Sequence, residues 1–279
     1  MSLAIRLMVE RDWETISSWV EALGWNPGIR DGECMHAADP EGMFMAEVDG
    51  VPVGCITAVA YNATFGFMGA LVVNPALRGQ GHGDTLFRHA MTYLGNRNIG
   101  TDAMASMRGY CARNHGFVHA YLHVRFEGVI AGACPSSSIV PLAEVPFGHI
   151  CDYDAACFPV PRERFLRAWL DAYGAGGLAC LRHGRLAGFG VSRRALRGVR
   201  IGPMLADDAE AAKEIMLALG ALAGGTPVAL DVPEVNGSAV ALAEQLGLRR
   251  GFDTARMYSH AVPELPLERL FGIASYELG

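Results

Sequence analysis

Hydrophobic positions in the first half of the chain change between strand-like and helix-like spacing. Trp13, Ile16 and Val20 recur at helical intervals, and Gly24 marks the expected end of this helix. A second helical pattern follows the glycine-rich segment that ends at residue 83 and runs to about residue 96, and a third covers residues 110–115. Short apolar or alternating runs predict strands at residues 5–8, 44–48, 53–61, 65–73, 101–107 and 120–126. The pattern therefore predicts the element order β-α-β-β-β-α-β-α-β.

The second half repeats landmarks of the first half at a displacement of about 130 residues. The hairpin pattern at residues 48–54 corresponds to residues 182–188, and Gly69 corresponds to Gly202. A repeat of this length indicates a second domain with the same topology. We expect one domain at residues 1–132 and a second at residues 145–279, with a turn-rich linker at about residues 133–144.

A glycine-rich turn, Arg78-Gly79-Gln80-Gly81-His82-Gly83, lies between the predicted strand 65–73 and the next helix. Glycines let backbone N–H groups approach a ligand closely, and a helix start directs unpaired N–H groups toward it. This combination suits a pyrophosphate, to which Arg78 adds a charged donor. The dinucleotide fingerprint would need glycine where Asp84 stands, and the Gly-Lys-Ser/Thr of a P-loop is absent.

The turn resembles the acetyl-CoA loop of the GCN5-related N-acetyltransferases, the GNAT family. The predicted strand order and the Gly116-Phe117 pair match that family over most of residues 3–130. The resemblance implies an α/β fold with a mixed α+β sheet, in two tandem acyl-CoA N-acyltransferase domains. It also implies that acetyl-CoA is bound by Leu71, Val72, Val73, Arg78, Gly79, Gln80, Gly81, His82, Gly83 and Asp84.

The second copy lacks the residues for a phosphate cradle. Opposite the glycine-rich turn stand residues 211–216, an ordinary amphipathic helical pattern in which Glu214 would repel a phosphate. Asp207 and Asp208 are expected to cap this helix. The chain is thus similar to a bacterial tandem GNAT subgroup with a degenerate second domain, and we expect one cofactor site, in the first domain.

The catalytic residues are less clearly indicated than the cofactor loop. GNAT enzymes often carry a tyrosine four residues before the Gly-Phe pair, where this chain has Ala112. Tyr110 is then either the general acid or an ordinary core or surface tyrosine. Asp231, in an otherwise apolar strand, is either a general base or a strand-end cap. Trp25 and Asn26, in a turn-rich loop after the first helix, are candidates for substrate contact.

The resemblance implies an acetyl-CoA-dependent N-acetyltransferase that acts on the amine of a small molecule by direct attack in a ternary complex. The alternative is an acyl-CoA-binding regulatory module with little turnover, because Ala112 and Phe67 stand where catalytic side chains often lie. Transfer of a longer acyl group is a third possibility. The protein would act as a monomer or a homodimer, since the internal repeat provides a pairing of its own.

Composition narrows the classes of partner. The net charge is −6, which argues against nonspecific nucleic-acid binding, since that needs a basic face. No early apolar segment reads as a signal peptide and no run reaches the length of a membrane span. Seven scattered cysteines without a C-x-x-C pair favour buried thiols in the cytoplasm. Cys151, Cys157 and His149 match no zinc spacing, so no metal is expected.

Overall fold

The structure is a computed structural model and describes residues 3–132 and 136–279. The strands are β1 (Leu3–Leu7), β2 (Met43–Val48), β3 (Val51–Ala60), β4 (Phe65–Val73), β5 (Asn98–Met104), β6 (Val118–Gly128), β7 (Ile139–Pro141), β8 (Gly177–Arg182), β9 (Arg185–Arg194), β10 (Val199–Ala206), β11 (Val228–Pro233), β12 (Arg249–Tyr258) and β13 (Leu270–Gly272). The helices are α1 (Asp12–Ala22), α2 (Asp31–Ala38), α3 (His82–Leu94), α4 (Arg108–His115), α5 (Phe147–Ala155), α6 (Glu163–Tyr173), α7 (Ala209–Ala223) and α8 (Gly237–Gln245).

The described strands form one mixed sheet that crosses both halves of the chain. Its order is β1-β2-β3-β4-β5-β12-β6-β11-β10-β9-β8-β7, with β13 beside β10. Strand β12 of the second half lies between β5 and β6 of the first half. Strand β6, in turn, pairs with β11 of the second half. The two halves have therefore exchanged their last long strands.

The predicted element order of the first half is confirmed, with two local differences. Strand β5 starts at Asn98, before the predicted residue 101, and ends at Met104, where a short 3₁₀ turn follows. Helix α2 was not indicated by the sequence, because it has eight residues, contains Gly32 and carries few apolar side chains. Its buried Cys34 and Met35 nevertheless belong to the apolar core.

The repeat predicted from the sequence has a structural counterpart in two matching hairpins. The β2–β3 turn places Asp49 at φ 50° and Gly50 at φ 82°, and the β8–β9 turn places His183 at φ 52° and Gly184 at φ 74°. Two positive φ values in succession give the turn whose twist suits a β-hairpin. The domain boundary near residues 133–144 stays a prediction, and residues 133–135, including Cys134, lie outside the described residues.

One apolar core joins the two halves on the side of the sheet covered by α1, α2 and α6. Trp19 and Met35 from the first half and Trp169 and Phe189 from the second half are buried in this cluster. A continuous core and a shared sheet hold the halves in one fixed arrangement. A site that lies between them is therefore built from both.

Candidate functional site

A gap opens in the sheet where β4 and β5 separate. The two strands pair in parallel from Phe65 with Asn98 to Met68 with Thr101, and no further. Ala70 has φ 46°, an uncommon value for a residue with a side chain, and the register of β3 on β4 shifts nearby. The backbone that follows Met68 thus loses its β5 partner. An extended ligand arm can hydrogen-bond such a free strand edge.

The predicted cofactor residues of β4 lie along this edge. Leu71 is 37% exposed, whereas Val72 is 1% exposed and packs into the core. The alternation is that of a strand with one open face. Leu71 and neighbouring Ala70 also line a cavity of about 300 Å³. Val72 and Val73 can bind a cofactor only through those backbone N–H and C=O groups that no neighbouring strand occupies.

The glycine-rich turn has an open cradle at the start of α3. Gly79 and Gly81 have φ of 79° and 84°, and no described atom lies within 4 Å of a Cβ built on either. Gly81 is the N-cap of α3, so the first N–H groups of the helix face the turn. Arg78 is exposed, and its Nε lies 3.4 Å from the carbonyl oxygen of Val73. These residues fit the pyrophosphate group of an acyl-CoA, as the sequence suggested.

Asp84, in the first turn of α3, contacts side chains of both α3 and α4. Its carboxylate pairs with Arg88 one turn along α3. The other oxygen lies 3.3 Å from the hydroxyl of Tyr110 and 3.3 Å from Nε2 of His115. Because Arg88 balances its charge, Asp84 is compatible with a bound anion nearby and also links α3 to α4.

The cavity is enclosed by residues from both halves of the chain. Its first-half walls come from the loop after α1, from β4 and β5, and from the starts of α3 and α4. The second half contributes side chains from β10, from the β12 segment and from the chain after β13. Its lining includes Trp25, Asp84, Asp102, Tyr110, Cys111 and Glu277.

Tyr110 lines the cavity on α4 and is 39% exposed. Cys111, the next residue, is buried, and burial raises the pKa of its thiol. His115 stacks on Phe87 at 4.0 Å between ring centroids, and burial together with Arg88 lowers its pKa. The phenol of Tyr110 is thus the accessible proton donor on this wall.

Asp231 is held in a buried cluster of charges. Arg125 donates to both of its oxygens, at 2.7 and 3.1 Å. Arg200 donates to one of the same oxygens, and the hydroxyl of Tyr276 donates to the other at 2.7 Å. Two guanidinium groups and a phenol stabilise the ionised carboxylate and occupy its lone pairs. This environment argues against the general-base role that the sequence suggested for Asp231.

Trp25 and Asn26 both reach the cavity wall, as expected of substrate-contacting residues. Asn26, however, is buried, and its amide bonds to both backbone groups of Arg197, at 2.7 and 2.9 Å. The main-chain carbonyl oxygen of Asn26 also accepts a hydrogen bond from Arg200. Asn26 therefore fixes the loop against the second half. Trp25 is half-buried, packs against the apolar core and lines the cavity, so it is the member of the pair that can contact an acceptor.

Some residues of the site were not selected from the sequence. Arg200 interrupts the largely apolar strand β10, and an isolated charge in such a strand was a usable signal. Arg125 stands at a polar position of the alternating strand β6, where the local pattern does not single it out. Glu277 follows the last strand in a short tail and has no periodic context. Its importance depends on where the tail runs, which local pattern does not show.

The gap that serves the first half is closed in the second half. Strands β10 and β11 pair in parallel only from Val199 to Ile201. Strand β13 then lies against β10, and the N–H of Ile273 bonds to the carbonyl of Asp231 on β11. Asp208 caps α7 through bonds from the N–H groups of Glu210 and Ala211. Over residues 136–279, the second half therefore has neither the open strand edge nor the glycine cradle.

No group of three or more His, Cys, Asp or Glu side chains is arranged to hold a metal ion within residues 3–132 and 136–279. In the same parts of the chain, no helix is both long and apolar enough to cross a membrane. The six described cysteines are buried free thiols.

Family models match both halves of the chain. The model for the acetyltransferase (GNAT) family matches residues 6–121, and a second acetyltransferase (GNAT) domain model matches residues 150–272. The first match contains the cradle and the second contains the repeat. The prediction of two tandem domains of one family is confirmed.

Similar proteins cover nearly the whole chain. The holothin acyltransferase of Pseudoalteromonas sp. (strain SANK 73390) is 26% identical to this chain. The alignment covers 96% of this chain and 92% of the length of that protein. A putative acetyltransferase from Pyrococcus horikoshii superposes with a TM-score of 0.84 at 25% identity, over 99% and 96% of the two chains. A tandem GNAT protein from the clavulanic acid biosynthesis pathway shares the fold, with a TM-score of 0.62 at 14% identity over 94% and 100%. This chain belongs to the GNAT family of acyltransferases, with two domains of that family in tandem.

Proposed function

We propose that this protein transfers an acetyl group from acetyl-CoA to the amine of a small molecule by direct attack in a ternary complex. The observation that carries the proposal is that three features adjoin one another, with the glycine-rich turn reaching the cavity lining at Gly83. These are the open edge of β4, the Gly79–Gly81 cradle and the wall contributed by the second half. A cavity of about 300 Å³ suits an acceptor of small-molecule size.

The bound thioester would be positioned by backbone rather than by charged side chains. Free N–H groups of β4 near Leu71 can hold the pantetheine arm and polarise the thioester carbonyl. The cradle and Arg78 then hold the pyrophosphate at the other end. These anchors fix the reacting carbon beside the cavity and bring it within reach of an amine. The relative named for holothin acylation supports acyl transfer as the reaction.

Direct attack is favoured because the described residues of the cavity wall offer no activated nucleophile. Cys111 is the cysteine on its wall, and burial raises the pKa of the Cys111 thiol. A thiol, unlike a thiolate, is a poor nucleophile, so an acyl-enzyme on Cys111 is disfavoured. The free thiols of the described residues also suit the reducing cytoplasm, where we place the protein.

Gly81→Asp is expected to weaken acetyl-CoA binding by about tenfold to a hundredfold, because a carboxylate would enter the cradle beside the pyrophosphate. Arg78→Ala is expected to weaken binding by about tenfold through the loss of a charged donor. Isothermal titration calorimetry with acetyl-CoA measures both effects. Gly184→Asp is the matched control, since Gly184 has φ 74° in an open turn of the second half. Unchanged affinity in Gly81→Asp would refute the cradle.

Tyr110 is proposed as the acid that protonates the departing thiolate. Tyr110→Phe is then expected to lower kcat by about a hundredfold while acetyl-CoA affinity stays within twofold, since general acids contribute roughly 10²–10⁴-fold. Steady-state kinetics with a thiol-release readout measure kcat. A variant with the wild-type kcat would leave Tyr110 as a wall residue that only bonds Asp84.

A panel of amines and acyl-CoA donors tests the reaction itself. Release of CoA that depends on both acetyl-CoA and an amine is the expected result, and mass spectrometry should show the acetylated amine. Faster turnover with a longer acyl-CoA would revise the donor. Tight acetyl-CoA binding without CoA release for any amine would favour a regulatory module instead.

A further inference from the structure

The chain after β13 runs along the opening between β4 and β5. Gly69, the last residue before the distorted part of β4, touches the backbone of Glu277 so closely that a Cβ at residue 69 would collide with it. The tail is held by a 2.7 Å bond from the Tyr61 hydroxyl to the carbonyl of Leu278. Arg162 also donates to the carbonyl of Gly279 at 2.8 Å. Glu277 is therefore fixed beside the place where the thioester is expected.

The carboxylate of Glu277 has unused bonding capacity inside the protein. Glu277 lines the cavity and is 8% exposed, and its Oε2 is buried without a hydrogen-bond partner among the described residues. Buried polar atoms are nearly always paired, so an unpaired carboxylate oxygen indicates a missing partner. An amine bound in the cavity is a partner of the required chemistry.

The other carboxylates of the cavity wall are already paired. Asp84 is bound to Arg88. Asp102 accepts two bonds from Arg256 at 2.8 Å and lies 3.0 Å from Nδ1 of His123. Arg256 and His123 hold the pKa of Asp102 down to about 2 against the opposing effect of burial. A carboxylate stabilised in this way is a weak proton acceptor. Glu277 is thus the wall carboxylate that keeps an open position.

Charged groups from three elements surround Glu277. Burial raises its pKa, Arg200 of β10 lowers it, and Asp31 of α2 raises it. The Ser275 hydroxyl and Arg193 of β9 also lower it, and the net result is a pKa above the usual value for glutamate. A raised pKa makes the carboxylate a stronger base near neutral pH. This effect supports a role that the cavity and the unpaired oxygen indicate on their own.

We propose that Glu277 is the general base that removes a proton from the acceptor amine. The inference rests on the proposed acyl transfer and assigns the proton-accepting residue in the same cavity. Glu277 receives one proton from the bound ammonium and leaves a neutral amine with a free electron pair. That pair forms the C–N bond, and the C–S bond breaks with its electrons remaining on sulfur. Tyr110 gives its proton to the thiolate, which yields free CoA, and the second proton lost by nitrogen restores the Tyr110 phenol. Glu277 then releases its proton to solvent.

Glu277→Gln tests the proposal because glutamine keeps the size of the side chain and cannot accept the proton. We expect kcat to fall by about 10²–10⁴-fold, with acetyl-CoA affinity unchanged. The probes are acetyl-CoA with benzylamine, phenethylamine and tryptamine as acceptors, because these alkylamines are ammonium ions near neutral pH. Glu264→Gln is the matched control, since Glu264 is exposed in the preceding loop. It should keep wild-type kinetics.

The pH profile separates a base from a structural residue. In the wild type, kcat/KM should fall as the pH drops through the pKa of Glu277, because the protonated carboxyl cannot accept a proton. This acid limb should be absent from Glu277→Gln and present in Glu264→Gln. If the wild type acetylates an amine and Glu277→Gln keeps both its rate and its acid limb, Glu277 is not the base and the proposed function stands.

A second measurement does not depend on the acceptor. With carbon-13 in the glutamate carboxyl groups, the NMR resonance missing from Glu277→Gln identifies Glu277. It should titrate at a higher pH than the exposed glutamates do. Titration at the ordinary value would contradict the desolvated, unpaired state and overturn the proposal. If acetyl-CoA binds but no amine is acetylated, the proposed function fails, and the titration still decides the state of Glu277.

Discussion

Asp231→Ala is expected to destabilise the protein by about 3–5 kcal/mol, the range for breaking a buried ion pair from one side. The change removes the carboxylate that binds Arg125, Arg200 and Tyr276. Both guanidinium groups would then remain buried without their main counter-charge, which costs more than the original pair contributed. Urea unfolding followed by circular dichroism measures the change in the free energy of unfolding.

Glu234→Ala is the control for this experiment. Glu234 pairs with Arg250 at 2.8 Å, but both side chains are more than 40% exposed, at 43% and 46%. An exposed pair of this kind contributes at most about 1 kcal/mol. Equal losses in the two variants would mean that the Asp231 cluster is not buried as described. If Asp231→Ala lowers the free energy of unfolding by only a small amount, water reaches Arg125 and Arg200 and replaces the lost carboxylate.

Local features of the site could be read from the sequence because they depend on neighbouring residues. Gly79 and Gly81 adopt the positive φ values that a glycine-rich turn allows, and α3 begins directly after them. Asp208 caps α7, as its position before the helix indicated, whereas Asp207 bonds Tyr153 and Arg269 instead. Capping and turn geometry are decided within a few residues of sequence.

The strand exchange could not be predicted in the same way. Strand β6 has an alternating pattern that is equally compatible with a partner from its own half. Which strand it pairs with is decided by contacts between residues about 100 positions apart, such as Arg125 with Asp231. The same limit explains Asp231 itself. Its sequence position revealed an isolated charge in an apolar strand but not the two arginines that bind it.

The second domain contributes to the site through β13 and the chain segment that follows β13. The opening between β10 and β11 corresponds to the acyl-CoA opening of the first half, and β13 closes it. The chain that leaves β13 then passes Gly202, where a Cβ would collide with Ile273, and continues to Gly69 and Glu277. Closing the second opening and placing Glu277 at the first are thus consequences of one path of the tail.

Separate expression of residues 1–132 and 136–279 is expected to give two fragments that do not fold alone. Within the described chain, β6 pairs with β11 and β12, and both of these belong to the second half. Strand β12 pairs with β5 and β6, and both of these belong to the first half. Each fragment would therefore contain a long strand without any partner and would expose its unpaired backbone and one apolar face. Circular dichroism should show no cooperative thermal transition for either fragment, and acetyl-CoA binding should be lost.

Co-expression of the two fragments should restore a complex, because every strand then finds its partner. A protease site introduced at residues 133–135 provides the control. Cleavage after folding leaves all strand pairs in place, so the nicked protein should keep both its melting transition and its acetyl-CoA affinity. A cooperative transition in the isolated first fragment would contradict the exchange, since it would require β6 to pair within its own half. The nicked protein and the separate fragments have nearly the same covalent composition. If the nicked protein stays folded and the separately expressed fragments do not, folding requires both halves to be present while the strands pair.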